Sequence, residues 1–230
     1  NRAYGASIRI DGPRSLVSAR AHVGTRLVVG CFHTFGPYVM PRLIRRMEGF
    51  DIRLVEGDQR RLRESLRAGE TEVALIYDMD LDGDIERIAL DELRPYVLLP
   101  DGHRLARQSE IVPAELAEEP MVLLDAPPSA GYFLSVLRDA GVEPLVAHRS
   151  ASFEMVRGMV GHGLGYALLT TKPAADMTYD GVKLVVRPLV GDHAPGRIVV
   201  AWRKGQELSL PAQRFVDSCR EAFRKETPAP

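Results

Sequence analysis

Residues 26–47 read R-L-V-V-G-C-F-H-T-F-G-P-Y-V-M-P-R-L-I-R-R-M, and this stretch decides the fold. The continuous apolar run from Leu27 to Cys31 is typical of a β-strand that is covered on both faces. Pro37 then stands at a favourable first position of a helix, and apolar residues follow it at helical spacing. The stretch therefore predicts a strand, a loop and an amphipathic helix, which is the repeating unit of a parallel α/β sheet.

The same alternation of apolar strand and helical segment continues along the chain. Leu62 and Leu66 mark a second helix that Gly69 ends, and residues 73–77 are the next apolar strand. A second series of strands and helices starts after Pro100, and one further strand and helix follow it. We predict an α/β fold of two Rossmann-like lobes joined by two crossover strands, with a ligand cleft between the lobes.

The order of these segments also predicts how the chain is divided. Residues 26–99 and 198–226 are assigned to the first lobe, and residues 100–197 to the second lobe. Residues 1–25 carry four arginines without sustained periodicity, and we interpret them as a linker, a tail or a cloning remnant.

Three local features complete the predicted fold. The strand Ile198–Trp202 is expected to lie beside the strand Tyr96–Leu99, and a polar break is expected at Asp91-Glu92. The cluster Gly161-x-Gly163-x-Gly165 follows a helix and precedes a strand, which is the reverse of a dinucleotide-binding fingerprint. We therefore interpret these glycines as a helix end and a tight turn.

The composition excludes several classes of protein. The chain has 230 residues, of which 45% are apolar, so it can bury a core without disulfides. Its formal charge of −1 lacks the basic excess that nucleic-acid binding usually needs. No apolar run approaches the roughly 18 residues of a membrane span, and no signal peptide opens the chain. We expect a soluble cytoplasmic protein without membrane contact.

The cysteines and histidines indicate neither a metal site nor a catalytic nucleophile. Cys31 and Cys219 lie far apart in sequence, and the six histidines show no metal-ligand spacing. Cys31 and His33 lie two residues apart on a strand, and no orienting carboxylate accompanies them. We predict no metal, no cofactor and no enzymatic activity.

Three loops that lead from a strand into a helix are the candidates for ligand binding: residues 33–36, 127–129 and 150–152. Each offers free backbone N–H groups, a hydroxyl and a positive helix end, which favour a carboxylate or another small anion. Ordinary N-capping is the alternative for each loop taken singly. Nearby aromatic residues line an apolar pocket or belong to the core, and both possibilities stay open: Phe32, Phe35, Tyr132, Phe153 and Tyr166.

Ordered segments of this chain resemble a known family. They are L-V-V-G-C-F-H-T-F-G-P-Y-V-M-P (Leu27–Pro41), L-R-A-G-E-T-E-V-A-L (Leu66–Leu75), Y-V-L-L-P-D-G-H-R-L-A (Tyr96–Ala106) and M-V-R-G-M-V-G-H-G-L-G-Y-A-L-L-T (Met155–Thr170). In this order and spacing they resemble the effector-binding domain of LysR-type transcriptional regulators, from about Arg26 to Lys225.

The resemblance implies a fold like that of type 2 periplasmic binding proteins, with a small metabolite bound between two lobes. The family's hydroxyl position after the first strand falls on Thr34. The loop after the second strand falls on Asp58-Gln59, where Gln59 replaces the Thr or Ser of many relatives. Peroxide-sensing relatives use a pair of cysteines in the second lobe, and residues 100–197 contain no cysteine, so thiol sensing is not expected.

From the loops and the resemblance together we predict a binding site. Thr34 and Ser129 are expected to bind the anionic group of the effector, and His33 and Gln59 to set polar specificity. Trp202 is expected to close the floor of the pocket. The complete set of predicted ligand-binding residues is His33, Thr34, Phe35, Gln59, Pro128, Ser129, Tyr132, Phe153 and Trp202.

The partners implied by the resemblance are a small-molecule effector, further copies of the chain and promoter DNA. In the family, effector domains form dimers and full-length proteins form tetramers. Promoter DNA is contacted through an N-terminal winged helix-turn-helix, which residues 1–25 do not resemble. We therefore expect an excised or truncated effector domain. A periplasmic solute-binding protein is the alternative function, and an enzyme on this scaffold is a third.

Overall fold

A computed structural model describes residues 26–224, and their elements follow the predicted α/β order. The first elements are β1 (Arg26–Phe32), α1 (Gly36–Arg46), β2 (Asp51–Gly57), α2 (Gln59–Ala68), β3 (Val73–Tyr77) and β4 (Ile85–Leu93). The next are β5 (Tyr96–Pro100), 3-10 helices at Arg104–Arg107 and Pro113–Leu116, β6 (Pro120–Leu124), α3 (Ser129–Asp139), β7 (Leu145–Ser150), α4 (Phe153–Gly161), β8 (Ala167–Leu169) and β9 (Leu184–Pro188). The last are β10 (Gly196–Arg203) and α5 (Leu210–Phe223). The predicted N-terminal linker, residues 1–25, lies outside the described residues.

The first sheet has the strand order β2-β1-β3-β10-β4. β1 pairs in parallel with β2 and β3, whereas β10 runs antiparallel to β3 and β4. Leu27 and Val29 of the apolar run that opened the sequence are fully buried. They are buried because α1, α2 and α5 pack against this sheet. We call the sheet and these three helices the first lobe.

The second lobe consists of β5 to β9 with α3 and α4. Its strands form the arrays β8-β5-β9 and β6-β7. The arrays are joined at Tyr166, whose N–H donates to the Pro120 carbonyl at 2.9 Å and whose carbonyl accepts from Val122 N–H at 2.7 Å. Each lobe buries its own apolar core, and the two cores are separate clusters. The predicted two-lobe α/β fold is confirmed.

The predicted pairing of β10 with β5 is wrong. β10 pairs with β4, from Gly196 opposite Leu93 to Arg203 opposite Ile85, while β5 pairs with β8 and β9 in the second lobe. The expected break at Asp91-Glu92 is also wrong, because β4 continues to Leu93, although the register with β10 shifts by one residue at Leu90, between Ala89 and Asp91. The predicted lobe boundaries stay a prediction. Because β5 pairs with β8 and β9 of the second lobe, the pairing favours a lobe boundary just before β5 rather than just after it.

The glycine cluster ends a helix and opens a strand, as predicted. α4 ends at Gly161, and Gly163 has a φ of 78°, which is the left-handed conformation that glycine adopts most readily. Gly165 has a φ of 142°, and a Cβ built on it would lie 2.1 Å from the Pro120 carbonyl oxygen. Only glycine lets the backbone come this close to β6, which places Tyr166 for its two hydrogen bonds.

Replacing Gly165 with alanine is expected to destabilise the fold by about 3 kcal/mol, since backbone strain and a clash act together. Gly141→Ala is the matched control, because Gly141 also has a positive φ, of 78°, but its Cβ would meet nothing within 4 Å. That variant is expected to lose only about 1 kcal/mol. Urea unfolding measures both values. Equal losses would contradict the close approach at Pro120.

Candidate functional site

A small cavity lies between the lobes, at the carboxyl ends of β3 and β8. Its free volume is about 10 Å³, which is room for about one water molecule. Both lobes contribute to its lining, which consists of Tyr77, Met79, Ser129, Tyr132, Phe133, Thr170 and Gly196. Two of the predicted ligand-binding residues, Ser129 and Tyr132, are therefore brought together at one cavity.

Tyr77 spans the cavity, and the sequence reasoning missed it. Its ring packs edge-on against Phe32 and Phe35, with centroid distances of 5.1 and 5.3 Å. Its hydroxyl lies 3.4 Å from Thr170 Oγ1 in the second lobe. A signal for Tyr77 exists in the sequence, because it ends the otherwise apolar strand V-A-L-I-Y. A tyrosine at that place brings a polar hydroxyl to the strand end, where α/β sheets bind ligands.

The loop after β1 contains two buried polar atoms without a partner. Thr34 is 2% exposed, and neither its Oγ1 nor His33 Nε2 makes a hydrogen bond within residues 26–224. Thr34 does not cap α1, because Phe35 takes the N-cap position. A buried polar atom without a partner costs about 1–3 kcal/mol. Neither residue belongs to the cavity lining, and each atom keeps an unused bonding capacity for a water molecule or a ligand group.

The loop before α3 directs hydroxyl groups at the cavity. Pro128 is the N-cap of α3 and is joined to Pro127 by a cis peptide bond. Ser129 follows it and is 7% exposed. Tyr132 donates from its hydroxyl to the Ala194 carbonyl at 2.7 Å. Burial raises the pKa of Tyr132 to about 12, so this hydroxyl keeps its proton at neutral pH.

The third candidate loop is an ordinary helix cap. Ser152 accepts a hydrogen bond from Met155 N–H at 3.3 Å, which is the usual role of serine at this position. Phe153 lies outside the cavity lining and packs against Tyr38 of the first lobe, at a centroid distance of 5.9 Å. In this structure Phe153 contributes to the contact between the lobes rather than to the cavity.

Gln59 is held by the backbone, which corrects its predicted role in specificity. Its Nε2 donates to the carbonyls of Tyr77 and Met79 at 2.7 and 2.8 Å, and its Oε1 accepts from Tyr77 N–H at 3.3 Å. The amide is 4% exposed, so little of it can meet a ligand. Gln59 instead fixes the end of β3 and thereby positions Tyr77 and Met79.

Trp202 and Phe35 do not reach the cavity, which corrects two further predictions. Trp202 lies opposite Glu86 in the pairing of β10 with β4, and its Nε1 donates to that carboxylate at 3.0 Å. β10 enters the sheet at Gly196, beside the cavity, and each residue advances about 3.3 Å, so Trp202 lies roughly 20 Å along the strand. Phe35 is 1% exposed and belongs to the core of the first lobe.

The described residues offer no cluster for a metal ion. Within residues 26–224, no three His, Cys, Asp or Glu side chains come together in a way that could hold one. Burial, assisted by the charge of Glu56, raises the pKa of Cys31 to about 12, so its thiol is protonated at neutral pH. None of the helices in this part of the chain is long and apolar enough to cross a membrane.

The arrangement of the lobes and the cavity can be compared with known proteins. The family model described as the LysR substrate binding domain matches residues 20–224. The chain belongs to this family. A putative LysR family transcriptional regulator from Pseudomonas aeruginosa is 42% identical and superposes with a TM-score of 0.82, over 85% of this chain and 70% of that one. The effector-binding domain of BenM, solved with its effector benzoate, is 20% identical with a TM-score of 0.73, over 86% of this chain and 91% of that one, and shows the shared fold.

A curated relative is longer than this LysR substrate binding domain. The Hca operon transcriptional activator HcaR of Escherichia coli is 26% identical over 195 residues, which cover 83% of this chain. The match covers 64% of that relative, and the first relatives found are covered to the same extent. The chain thus spans slightly less than two thirds of their length.

Replacing Gln59 with alanine is expected to destabilise this LysR substrate binding domain by about 2 kcal/mol, because three backbone groups at the end of β3 lose their partner. Gln213→Ala, on the exposed side of α5, is the matched control and should cost less than about 0.5 kcal/mol. Urea unfolding gives the free energy of each variant. A loss no larger than in the control would show that Gln59 does not hold β3.

Proposed function

We propose that this chain is the effector-sensing part of a bacterial LysR-type transcriptional regulator, located in the cytoplasm. It binds a small metabolite between its lobes and transmits this event to a DNA-binding domain in the same protein. The observation that carries the proposal is the interlobe cavity with Ser129 and Tyr77 in its lining, where the Tyr77 ring packs against Phe35, the residue after Thr34 with its unpaired hydroxyl. The family and its curated relatives, which are named as transcriptional regulators, support it.

The lining of the cavity supports a small, largely apolar effector with one carboxylate. With about 10 Å³ free, the cavity must widen to admit even a small effector. The lining side chains are hydroxyl-bearing or apolar, and none of them is charged. Hydroxyls and the N–H groups at a helix start can bind one carboxylate, whereas several negative charges would need cationic partners. The benzoate bound by BenM is a ligand of this class.

The proposed mechanism is a shift between two arrangements of the lobes. A ligand that contacts Ser129 in one lobe and Thr34 in the other binds most tightly to the arrangement of the lobes in which both side chains reach it. The ligand therefore stabilises that arrangement by the difference between its affinities for the two forms. In an oligomer this changes how subunits pack and how the DNA-binding domains are spaced.

Other functions fit less well. A periplasmic solute-binding protein has a related fold, but the curated relatives are transcriptional regulators. An enzyme would need a nucleophile or an acid-base pair, and the polar groups that line the cavity are the hydroxyls of Ser129, Thr170 and two tyrosines. We therefore propose binding without turnover. Conversion of a bound carboxylate would contradict this.

Replacing Thr34 or Ser129 with alanine is expected to weaken carboxylate binding about fivefold to tenfold, because each change removes one hydrogen-bond donor. A thermal-shift screen of aromatic and aliphatic monocarboxylates identifies a ligand, and titration calorimetry measures its Kd.

Ser135→Ala is the matched control, since Ser135 is exposed on α3 and its hydroxyl bonds within its own helix. Its Kd should equal that of the unchanged protein. A carboxylate whose affinity stays the same in the Thr34 and Ser129 variants would place the binding site elsewhere.

We further propose that the chain pairs with a second copy of itself. Leu54 on β2 and Leu145 on β7 are 41% and 56% exposed, and both strands are edges of their sheets. An exposed edge strand with apolar side chains is a surface that proteins usually cover.

Leu54→Glu is expected to shift a dimer toward monomer by at least about tenfold in Kd, because a charge enters an apolar interface. Sedimentation equilibrium measures the change. Leu210→Glu, at an exposed position on α5, is the matched control. Equal dissociation in both variants, or in neither, would contradict an interface at β2.

A further inference from the structure

A chain of contacts joins α1 of the first lobe to α4 of the second lobe, outside the cavity lining. Tyr38, in the first turn of α1, donates its hydroxyl hydrogen to Glu154 Oε1. Glu154, in the first turn of α4, accepts from Arg157 Nε at 3.2 Å through its other oxygen. Tyr38 also packs against the core of the second lobe. Tyr38 thus lies on a helix of the first lobe, and its side chain contacts the second lobe.

Arg157 is held in place on several sides. It is 1% exposed, and its Nη2 donates to the carbonyls of Ala175 and Met177 at 3.1 and 2.7 Å. Its guanidinium carbon lies 5.8 Å from the centre of the Phe153 ring. Burying a cation is unfavourable unless it is paired, and an apolar residue often replaces a buried ion pair without loss of stability. The buried Arg157 guanidinium therefore indicates a role other than filling space. The group that it orients is the Glu154 carboxylate, which faces Tyr38.

We propose that Tyr38 and Glu154 form a clasp that holds the lobes closed, and that Arg157 is the positioning residue that orients Glu154 for it. The inference rests on the proposed function, in which a ligand is enclosed between the lobes. The clasp is a charge-assisted hydrogen bond, whereas the contact between Tyr77 and Thr170 joins neutral hydroxyls at 3.4 Å. Burial and the bond to Glu154 raise the pKa of Tyr38, so it remains a donor across the physiological range.

The clasp sets the fraction of molecules that are closed before a ligand arrives. A ligand that binds only one arrangement of the lobes has an apparent affinity that is reduced by the fraction of molecules in the other arrangement. Tyr38 and Glu154 therefore determine sensitivity to the effector without touching it. Their effect on the lobes can be measured without knowing the effector.

The experiment measures the distance between spin labels on the two lobes by pulsed electron paramagnetic resonance. Labels are attached through Arg45→Cys on α1 and Ser135→Cys on α3, both exposed positions, while the native Cys31 and Cys219 are buried. Labelled protein is diluted into unlabelled protein, so that distances between copies do not contribute. In this background Tyr38→Phe and Glu154→Gln are compared with Tyr179→Phe, a matched control at a side chain that is 87% exposed.

The unchanged protein and the control are expected to share one dominant distance. Tyr38→Phe removes the bond and should raise the ratio of open to closed molecules about tenfold. Glu154→Gln keeps an acceptor oxygen but loses the charge, so it should raise the ratio by a smaller factor, and the double variant should add little to Tyr38→Phe. Arg157→Lys keeps the charge but loses the planar guanidinium, whose separate N–H groups bind Glu154 and two carbonyls. It should therefore shift the distances as Glu154→Gln does. Circular dichroism verifies that each variant is folded.

Unchanged distances in Tyr38→Phe and Glu154→Gln would overturn the clasp, and so would additive shifts in the double variant. A shift in Glu154→Gln without one in Arg157→Lys would overturn the positioning role of Arg157. Ligand binding separates this inference from the proposed function. If the distances shift but no carboxylate binds, the clasp stands and the proposed effector class is wrong. If carboxylates bind but the distances do not shift, the proposed effector class stands and the clasp is wrong.

Discussion

The arrangement of the molecule depends on β10, which follows the entire second lobe in sequence and lies in the first sheet between β3 and β4. Backbone groups of a buried strand need hydrogen-bond partners, and β10 supplies them to β3 on one side and to β4 on the other. The chain must therefore cross between the lobes twice. The second crossing delivers Gly196 to the cavity, where a Cβ would lie 3.7 Å from the Tyr77 ring. The pairing that completes the sheet thus also brings the two lobes together around the cavity.

Local patterns predicted most of the strands and helices, because each depends on neighbours in sequence. The apolar runs gave β1, β3 and β5, and Gly69 ends α2 in the left-handed conformation expected of a helix-ending glycine. The partner of β10 was predicted wrongly, because pairing between distant strands leaves no periodic signal. The acidic residues Asp91 and Glu92 suggested a break, yet β4 is an edge strand that exposes charged side chains and stays paired with β10 to Leu93, with one register shift beside Asp91.

The candidate site was only partly predictable, for a related reason. A residue type indicates what a side chain can bind, but not whether its partner is a ligand or the protein itself. Thr34 and Gln59 were both predicted from family positions that follow the first and second strands. The structure shows the Gln59 amide bonded to three backbone groups and the Thr34 hydroxyl bonded to none within the described residues. The prediction for Trp202 was wrong for a different reason, because the distance of Trp202 from the cavity depends on the direction in which β10 runs away from it.

Three tyrosine hydroxyls lie where the lobes meet: those of Tyr38, Tyr77 and Tyr132. A hydroxyl that leaves a protein partner can bond to water instead, so each such contact contributes only about 0.5–3 kcal/mol. A single apolar core shared by both lobes would hold them together far more strongly, because opening the lobes would then expose apolar surface to water. A ligand can shift an equilibrium only by its difference in affinity for the two forms. Lobes with separate cores and polar contacts at their boundary keep that equilibrium within the range that a small molecule can control.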